Sequence, residues 1–188
     1  MRSDVHCCLQ ACDGQGTSLA SSKAPRNETT HLVVGGAKRT LKVLHALAQG
    51  KWIVTPGWIY RSAQQGFWAP EDEFEAVSYF HAAPQSRRIA GSLLSGFKIV
   101  LPRGMKTKPG RKDLARLIES AGGSAVGATD QSSDKTHVLV DEDELQRTVT
   151  TVGPKRITVS WLIESIGAAA LLPYPQLEPT SGEVSDEM

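Results

Sequence analysis

Three cysteines among 188 residues, with no CxxC pair, leave the chain without a disulfide framework or a zinc-finger spacing. Cys7, Cys8 and Cys12 lie beside His6 and Asp13, but no second ligand cluster follows downstream. They read better as the buried face of a helix remnant than as a metal site. Catalytic signatures are missing too: there is no GxSxG elbow, no GxxxxGK[ST] loop and no dinucleotide fingerprint. An enzyme reading therefore has only a generic α/β pattern behind it, and neither a cofactor nor a metal is expected. Charge of one sign is lacking as well. Twenty-one Lys and Arg balance twenty Asp and Glu, a net of +1, so the chain carries no broad electrostatic footprint for nucleic acid. Any anion recognition must be local. No apolar run approaches the roughly 20 residues that span a bilayer. The opening MRSDVHCCLQACDG shows no apolar core followed by a small-residue cleavage site. Reduced thiols in a nuclear or cytosolic protein are the expectation.

What is present is an ordinary globular composition, 40% hydrophobic and 22% charged, organised around one stretch, Arg39–Gly66. Leu41, Leu44, Leu47 and Ala48 recur at helical spacing, which predicts a helix over Thr40–Gln49 with one buried face. Gly50 stops it where a positive φ is needed. Lys51–Val54 reads as a short strand, and Thr55-Pro56 opens a second helix with threonine as N-cap and proline at the first helical position. Gly66 closes that helix. The first helix has the sharper chemistry. Its opening turn presents unpaired N–H groups, the positive end of the dipole, and both Arg39 and Lys42.

The rest of the chain punctuates the same way. Thr29–Val34 reads as a strand, 76–92 as a proline-bearing connector with some helix near Val77–His81, and Phe97–Leu101 as a buried strand. Lys106–Lys112 is a basic loop, and Asp113–Ala121 a helix with Leu114, Leu117 and Ile118 inward, ended by Gly122-Gly123. Strands are expected at Ser124–Val126, Lys135–Val140 and Arg156–Val159, a weak helix or loop at Asp141–Glu144, and a helix at Ser160–Ala169. From Leu171 on, the Pro- and acid-rich tail reads as mostly disordered. An internal repeat is visible. Thr30-His31-Leu32-Val33 answers to Thr136-His137-Val138-Leu139, and Thr55, Trp58 and Ser62 answer to Thr158, Trp161 and Ser165. Strands alternating with helices argue for small parallel sheets covered on both faces.

A repeat carrying Thr-His-aliphatic, a glycine, a strand and then Trp one turn into a final helix resembles the BRCT repeat. Two copies around a connector resemble the tandem BRCT module of DNA-damage-response proteins, over roughly Thr29–Pro175. The resemblance implies an α/β fold of two BRCT-type repeats, each a small parallel sheet flanked by helices. It divides the chain into 1–28, a largely irregular remnant; 29–75, the first repeat; 76–92, the connector; 93–175, the second repeat; and 176–188, an acidic tail. In the family the first repeat begins with a strand ending in Ser/Thr-Gly that grips the phosphate. None of the first 28 residues reads as strand, and Val5–Ala11 reads as the tail of a helix. The first repeat is therefore expected to be N-terminally incomplete.

The resemblance also implies a function. Lys42 of Arg39-Thr40-Leu41-Lys42 would bind the phosphate of a phosphoserine together with Thr40. Arg39 would hold the peptide backbone at the third residue after it. A groove between the repeats, lined by Leu44, Lys108, Pro109 and Ile163, would take that third side chain, commonly aromatic. The second repeat carries Gln146-Arg147-Thr148-Val149 near the matching place, without the lysine, and reads as a packing partner. Trp58 and Trp161 read as core, and His31 and His137 as satisfied structural histidines. The implied protein is a non-enzymatic, phosphoserine-peptide-binding adaptor in damage response and cell-cycle regulation. It would bind no DNA by sequence and no membrane, and would reside in the nucleus, with centrosome and cytoplasm as further places. The alternative is a phosphate-independent scaffold.

Overall fold

The computed structural model describes residues 7–9, 29–104, 107–127, 136–140 and 155–175. In chain order its elements are β1 (Cys7–Leu9), β2 (His31–Val33), α1 (Leu41–Ala48), β3 (Trp52–Val54), α2 (Gly57–Gln65), a 3-10 turn (Glu71–Phe74) and α3 (Ala83–Ile89). Then come β4 (Lys98–Val100), α4 (Arg111–Ser120), β5 (Ser124–Val126), β6 (Thr136–Val140), β7 (Lys155–Thr158) and α5 (Val159–Ala168). Two parallel sheets result, β1-β2-β3 and β5-β4-β6-β7. The expected α/β architecture of two small parallel sheets with flanking helices is present.

Two expectations are corrected. Cys7–Leu9 is a strand, not the tail of a helix, and pairs in parallel with β2 from Cys7↔His31 to Leu9↔Val33. Three residues are too few to carry a hydrophobic period, so pairing across the sheet decides their conformation. The rest of Val5–Ala11, and Asp141–Glu144, lie outside the described residues. Helix in the connector forms at Ala83–Ile89, whereas Val77–His81 is a series of turns. Pro84 sits in the first turn of α3, where its missing N–H breaks no bond.

Both sheets are buried on two faces, as parallel sheets are. In the first, Leu32, Val34 and Ile53 face α1, while Val33 and Val54 face Trp58 of α2 and form a separate small cluster with Ala69. The larger core is continuous across the two repeats. It joins Val43, Leu44 and Leu47 of α1 to Leu114, Leu117 and Ile118 of α4 and to Trp161, Leu162 and Ile166 of α5. Helix α1 is consequently buried all round, from Val43 through Ala48, and not on one face as its spacing suggested. Its neighbours on one side are β2, β3 and α3, and on the other α4 and α5.

Each repeat is locked by the same three residues. Trp58 Nε1 donates to the Ala69 carbonyl at 2.9 Å, and Trp161 Nε1 to those of Leu172 and Pro173 at 3.1 and 2.9 Å. Ser62 Oγ accepts the Ala69 N–H, and Ser165 Oγ the Leu172 N–H. His31 stacks on Trp58 with centroids 4.4 Å apart and meets Glu71 Oε1 at 3.2 Å; His137 stacks on Phe97 and Tyr174 and meets the Tyr174 hydroxyl at 3.0 Å. Residues 171–175, read from sequence as the start of a disordered tail, are thus tied to the second repeat. Leu172 and Tyr174 pack against the main core.

At the seam between repeats, His45 of α1 is 1% exposed. Its Nδ1 lies 2.9 Å from Ser120 Oγ of α4, which also accepts from Gln49 Nε2 at 3.1 Å. His45 Nε2 has no partner among the described residues. Burial pushes the imidazole pKa down; Asp113 opposes this, and Arg116 and Lys51 reinforce it. At Gly50 (φ +64°) a Cβ would lie 2.8 Å from Ala90 Cα, so the connector closes onto the end of α1 only because no side chain is there.

Two outcomes are expected. Gly50→Ala destabilises the chain by more than the roughly 1–2 kcal/mol of a left-handed alanine, because backbone must also move; the urea midpoint measures it. The second concerns acid. The unfolded chain takes a proton at His45 near pH 6.5 that the folded chain resists, so stability falls as pH drops below about 6.5. In His45→Gln, unfolding free energies measured from pH 7.5 down to about 5.5 show a shallower decline.

Candidate functional site

Arg39, Thr40 and Lys42 stand together at the N-terminus of α1, where the chain leaves β2 through Gly35–Lys38 and meets the second repeat. Thr40 has extended dihedrals (φ −88°, ψ 167°), and its hydroxyl accepts the Val43 N–H at 3.4 Å. It is an N-cap, and its carbonyl takes the Leu44 N–H at 3.0 Å to start the helix. Lys42 is half-buried in the first turn. No acidic residue occupies that turn, so the dipole's positive end and the Lys42 ammonium act in the same sense.

Arg39 is engaged across the repeats. Its Nη1 donates to Glu164 Oε2 of α5 at 3.0 Å, and its Nη2 donates to Glu164 Oε1. This bidentate hydrogen bonding raises the Arg39 pKa and lowers that of Glu164, partly offset at each by desolvation. Nothing local in the sequence marks this pair, whose members are 125 positions apart. Only the register of α5 against α1 brings them together.

The expected groove residues separate. Leu44 is 3% exposed and belongs to the core, a correction that follows from the all-round burial of α1. Ile163 is half-buried on α5, next to Glu164, and packs against the same core. Lys108 is exposed and Pro109 half-buried, in the loop that leads into α4. A groove of about 590 Å³ opens beside Arg39, lined by Leu47, Tyr79, Phe80, His81, Gly167 and Ala168 among others. Its connector wall was not foreseen. The signal available was the pair of adjacent aromatics Tyr79-Phe80 in a segment that reads as linker.

The model of the BRCA1 C Terminus (BRCT) domain matches residues 15–63. Microcephalin of Colobus guereza is 27% identical over 146 residues, covering 73% of this chain and 16% of that protein. Human mediator of DNA damage checkpoint protein 1 is 31% identical over 133 residues, 66% of this chain and 6% of that protein. The chain thus spans a small part of the relatives it matches. Among solved structures, the BRCT5-BRCT6 domains of S. pombe Brc1 superpose with a TM-score of 0.62 at 16% identity, covering 89% of this chain and 93% of that one. Rtt107p, solved in complex with a phosphorylated histone, superposes with a TM-score of 0.59 at 11% identity, over 90% and 89%.

The capping role of Thr40 has a direct consequence. Thr40→Ala lowers stability by about 1 kcal/mol, whereas Thr40→Ser changes it by only a few tenths. Chemical denaturation monitored by far-ultraviolet circular dichroism distinguishes the two.

Proposed function

Because the chain is a tandem BRCT-repeat protein, related to DNA damage checkpoint proteins, we propose that it is a non-enzymatic adaptor that binds phosphoserine peptides. One observation carries the reading. Lys42 and an N-terminus of α1 with no acidic residue in its first turn sit at the seam of two repeats that share one core. A phosphate brings close to two negative charges, and each charge-assisted hydrogen bond to it is worth about 1.5–3 kcal/mol. Lys42, with Thr40 beside it, would supply such bonds. Arg39 would hold the peptide backbone at the third residue after the phosphate. The groove beside Arg39, between the connector residues Tyr79–Ala82 and Gly167-Ala168 of α5, would take an aromatic side chain there. The complex of Rtt107p with a phosphorylated histone supports the class of ligand by analogy of fold. Nuclear residence, among damage-response partners, accords with the same relatives.

A second reading, a phosphate-independent scaffold, is favoured by the apolar surface at the end of α2, where Tyr60, Phe67 and Trp68 are 69%, 64% and 42% exposed.

Fluorescence anisotropy with a phosphoserine peptide and its unphosphorylated twin decides between them. Phosphate-dependent binding is expected, and Lys42→Met should weaken it about tenfold or more while leaving the denaturation midpoint nearly unchanged. Thr40→Asp should preserve the cap, and so the stability, yet abolish binding by placing an anion where the phosphate would lie. Equal binding of both peptides would support the scaffold.

A further inference from the structure

Arg87 shows how this chain holds a guanidinium. Its Cζ lies 3.6 Å from the centroid of the Trp52 ring, while Nε and Nη2 donate to the two oxygens of Glu75 at 3.0 and 2.8 Å. The hydrogen bonds to Glu75 raise the Arg87 pKa; burial opposes them, and the charges of Glu75, Asp72 and Glu71 reinforce them. An aromatic face and a carboxylate edge therefore suffice here to fix an arginine. Similar parts occur again at the surface. His31, Trp58 and Trp68 form a column of near-parallel rings, with successive centroids 4.4 and 4.8 Å apart. His31, at the inner end, meets Glu71 Oε1; Trp68, at the outer end, is exposed, as is Phe67 next to it. Two buried hydrogen bonds hold the backbone one residue away, the Trp58 N–H on the Ala69 carbonyl and the Ala69 N–H on Ser62. Asp72 and Glu73 follow within five positions of Trp68, and both are exposed. From Tyr60 to Glu75, the carboxylates of Glu71, Asp72, Glu73 and Glu75 stand against a single cation, Arg61. Among the described residues, the cations that lie over rings are Arg87 on Trp52 and Lys155 on Tyr174; none lies over Trp68.

We propose that Trp68 and Phe67, with the carboxylates of Asp72 and Glu73, form a second binding face that takes an arginine side chain from an unphosphorylated, basic segment of a partner protein. This face is separate from the phosphate site: its ligand carries the opposite charge, and Lys42 takes no part in it. A guanidinium is planar and weakly hydrated, so it stacks on an indole while its N–H groups stay in plane for a carboxylate. An ammonium is a compact, strongly hydrated charge and gains less from the same ring. The acidic rim also selects against other occupants. A purely apolar partner would have to desolvate Asp72 and Glu73 without pairing them. A second copy of the chain, docking through the same face, would bring two acidic rims together. Because the column behind Trp68 is packed and its backbone is hydrogen-bonded, the exposed ring is held ready for the ligand, with little ordering left to be done on binding.

A short Gly-Arg repeat peptide, with its lysine counterpart and a citrulline counterpart that keeps the shape and loses the charge, tests this by fluorescence anisotropy on the full chain. The arginine peptide should bind about tenfold tighter than the citrulline peptide and severalfold tighter than the lysine peptide. The double variant Asp72→Asn, Glu73→Gln should lose most of that preference with the denaturation midpoint nearly kept, since both side chains are exposed. Trp68→Leu should lose it too, and in the wild-type chain the Trp68 indole N–H resonance should move as the arginine peptide is added. Lys42→Met should leave all three affinities unchanged, whatever it does to a phosphoserine peptide. Equal binding of the arginine and citrulline peptides overturns the proposal, as does a full preference kept in the carboxylate variant. Loss of arginine-peptide binding in Lys42→Met overturns the separation of the two faces. Failure of phosphoserine peptides to bind is a different result and counts against the phosphopeptide reading alone.

Discussion

Burial of α1 on all sides is the constraint on which the rest of this structure depends. Eight residues cannot hold a helix in water by themselves. Here six consecutive ones, Val43–Ala48, are withdrawn from solvent between the first sheet and the helices of the second repeat. Each repeat lends α1 part of its core, so the two repeats cannot separate without exposing a continuous apolar surface. One polar residue is carried into that seam, His45, and its ring is held by Ser120 from the other repeat. The consequence for function is rigidity. The first turn of α1 is fixed in direction by everything behind it, so the groups displayed there are preorganised toward whatever they meet.

The repeats show how one local solution can be completed by different means. Tryptophan, serine and histidine stand in corresponding places, and in each copy the indole N–H and the serine hydroxyl tie down the segment after the last helix. What covers the outside differs. Trp68 stacks on Trp58 in the first repeat, while Tyr174 lies between His137 and Trp161 in the second. The buried histidine meets a carboxylate in one case and a phenol in the other. The first arrangement anchors the path into the connector, which Arg87 continues by pairing with Glu75 and lying over the Trp52 ring. The second closes the end of the described chain against its own sheet. Aromatic stacking tolerates such exchanges because area and ring orientation matter more than identity.

Sequence alone was a good guide wherever the deciding interaction was short in range. The stop at Gly50 (φ +64°), the inward row Leu114, Leu117 and Ile118, and the two buried tryptophans are all local matters of backbone freedom or period, whereas the cap expected at Thr55 is not made: Pro56 stands at the N-cap of α2, with no side-chain bond. It misled where a distant partner decided. Cys7–Leu9 is a strand because β2 lies beside it, and Leu44 is inaccessible because a second repeat covers the flank that period alone would leave open. The connector was opaque for a related reason. Its helix is fixed by contacts with α1 and β3, and Ser86 Oγ donates to the Leu47 carbonyl. Of the candidate site, the placing of Arg39, Thr40 and Lys42 at one helix end was legible, whereas Glu164, Gly167 and the connector wall were not.

Arg39, Thr40 and Lys42 are near neighbours in sequence with three separate obligations. Thr40 is turned inward along the helix to satisfy its first turn. Arg39 is turned outward to the other repeat, and its charge is spent on Glu164. Lys42 is half-buried in the first turn, with no acidic residue in that turn to compensate it. Under the proposed reading, a doubly charged group at this corner would meet one ammonium and a capped helix terminus, and beside them a guanidinium paired with Glu164. On that reading, charge recognition by Lys42 and backbone recognition by Arg39 are in this way kept apart. The separation exists only because the second repeat reaches across to hold the middle of the first.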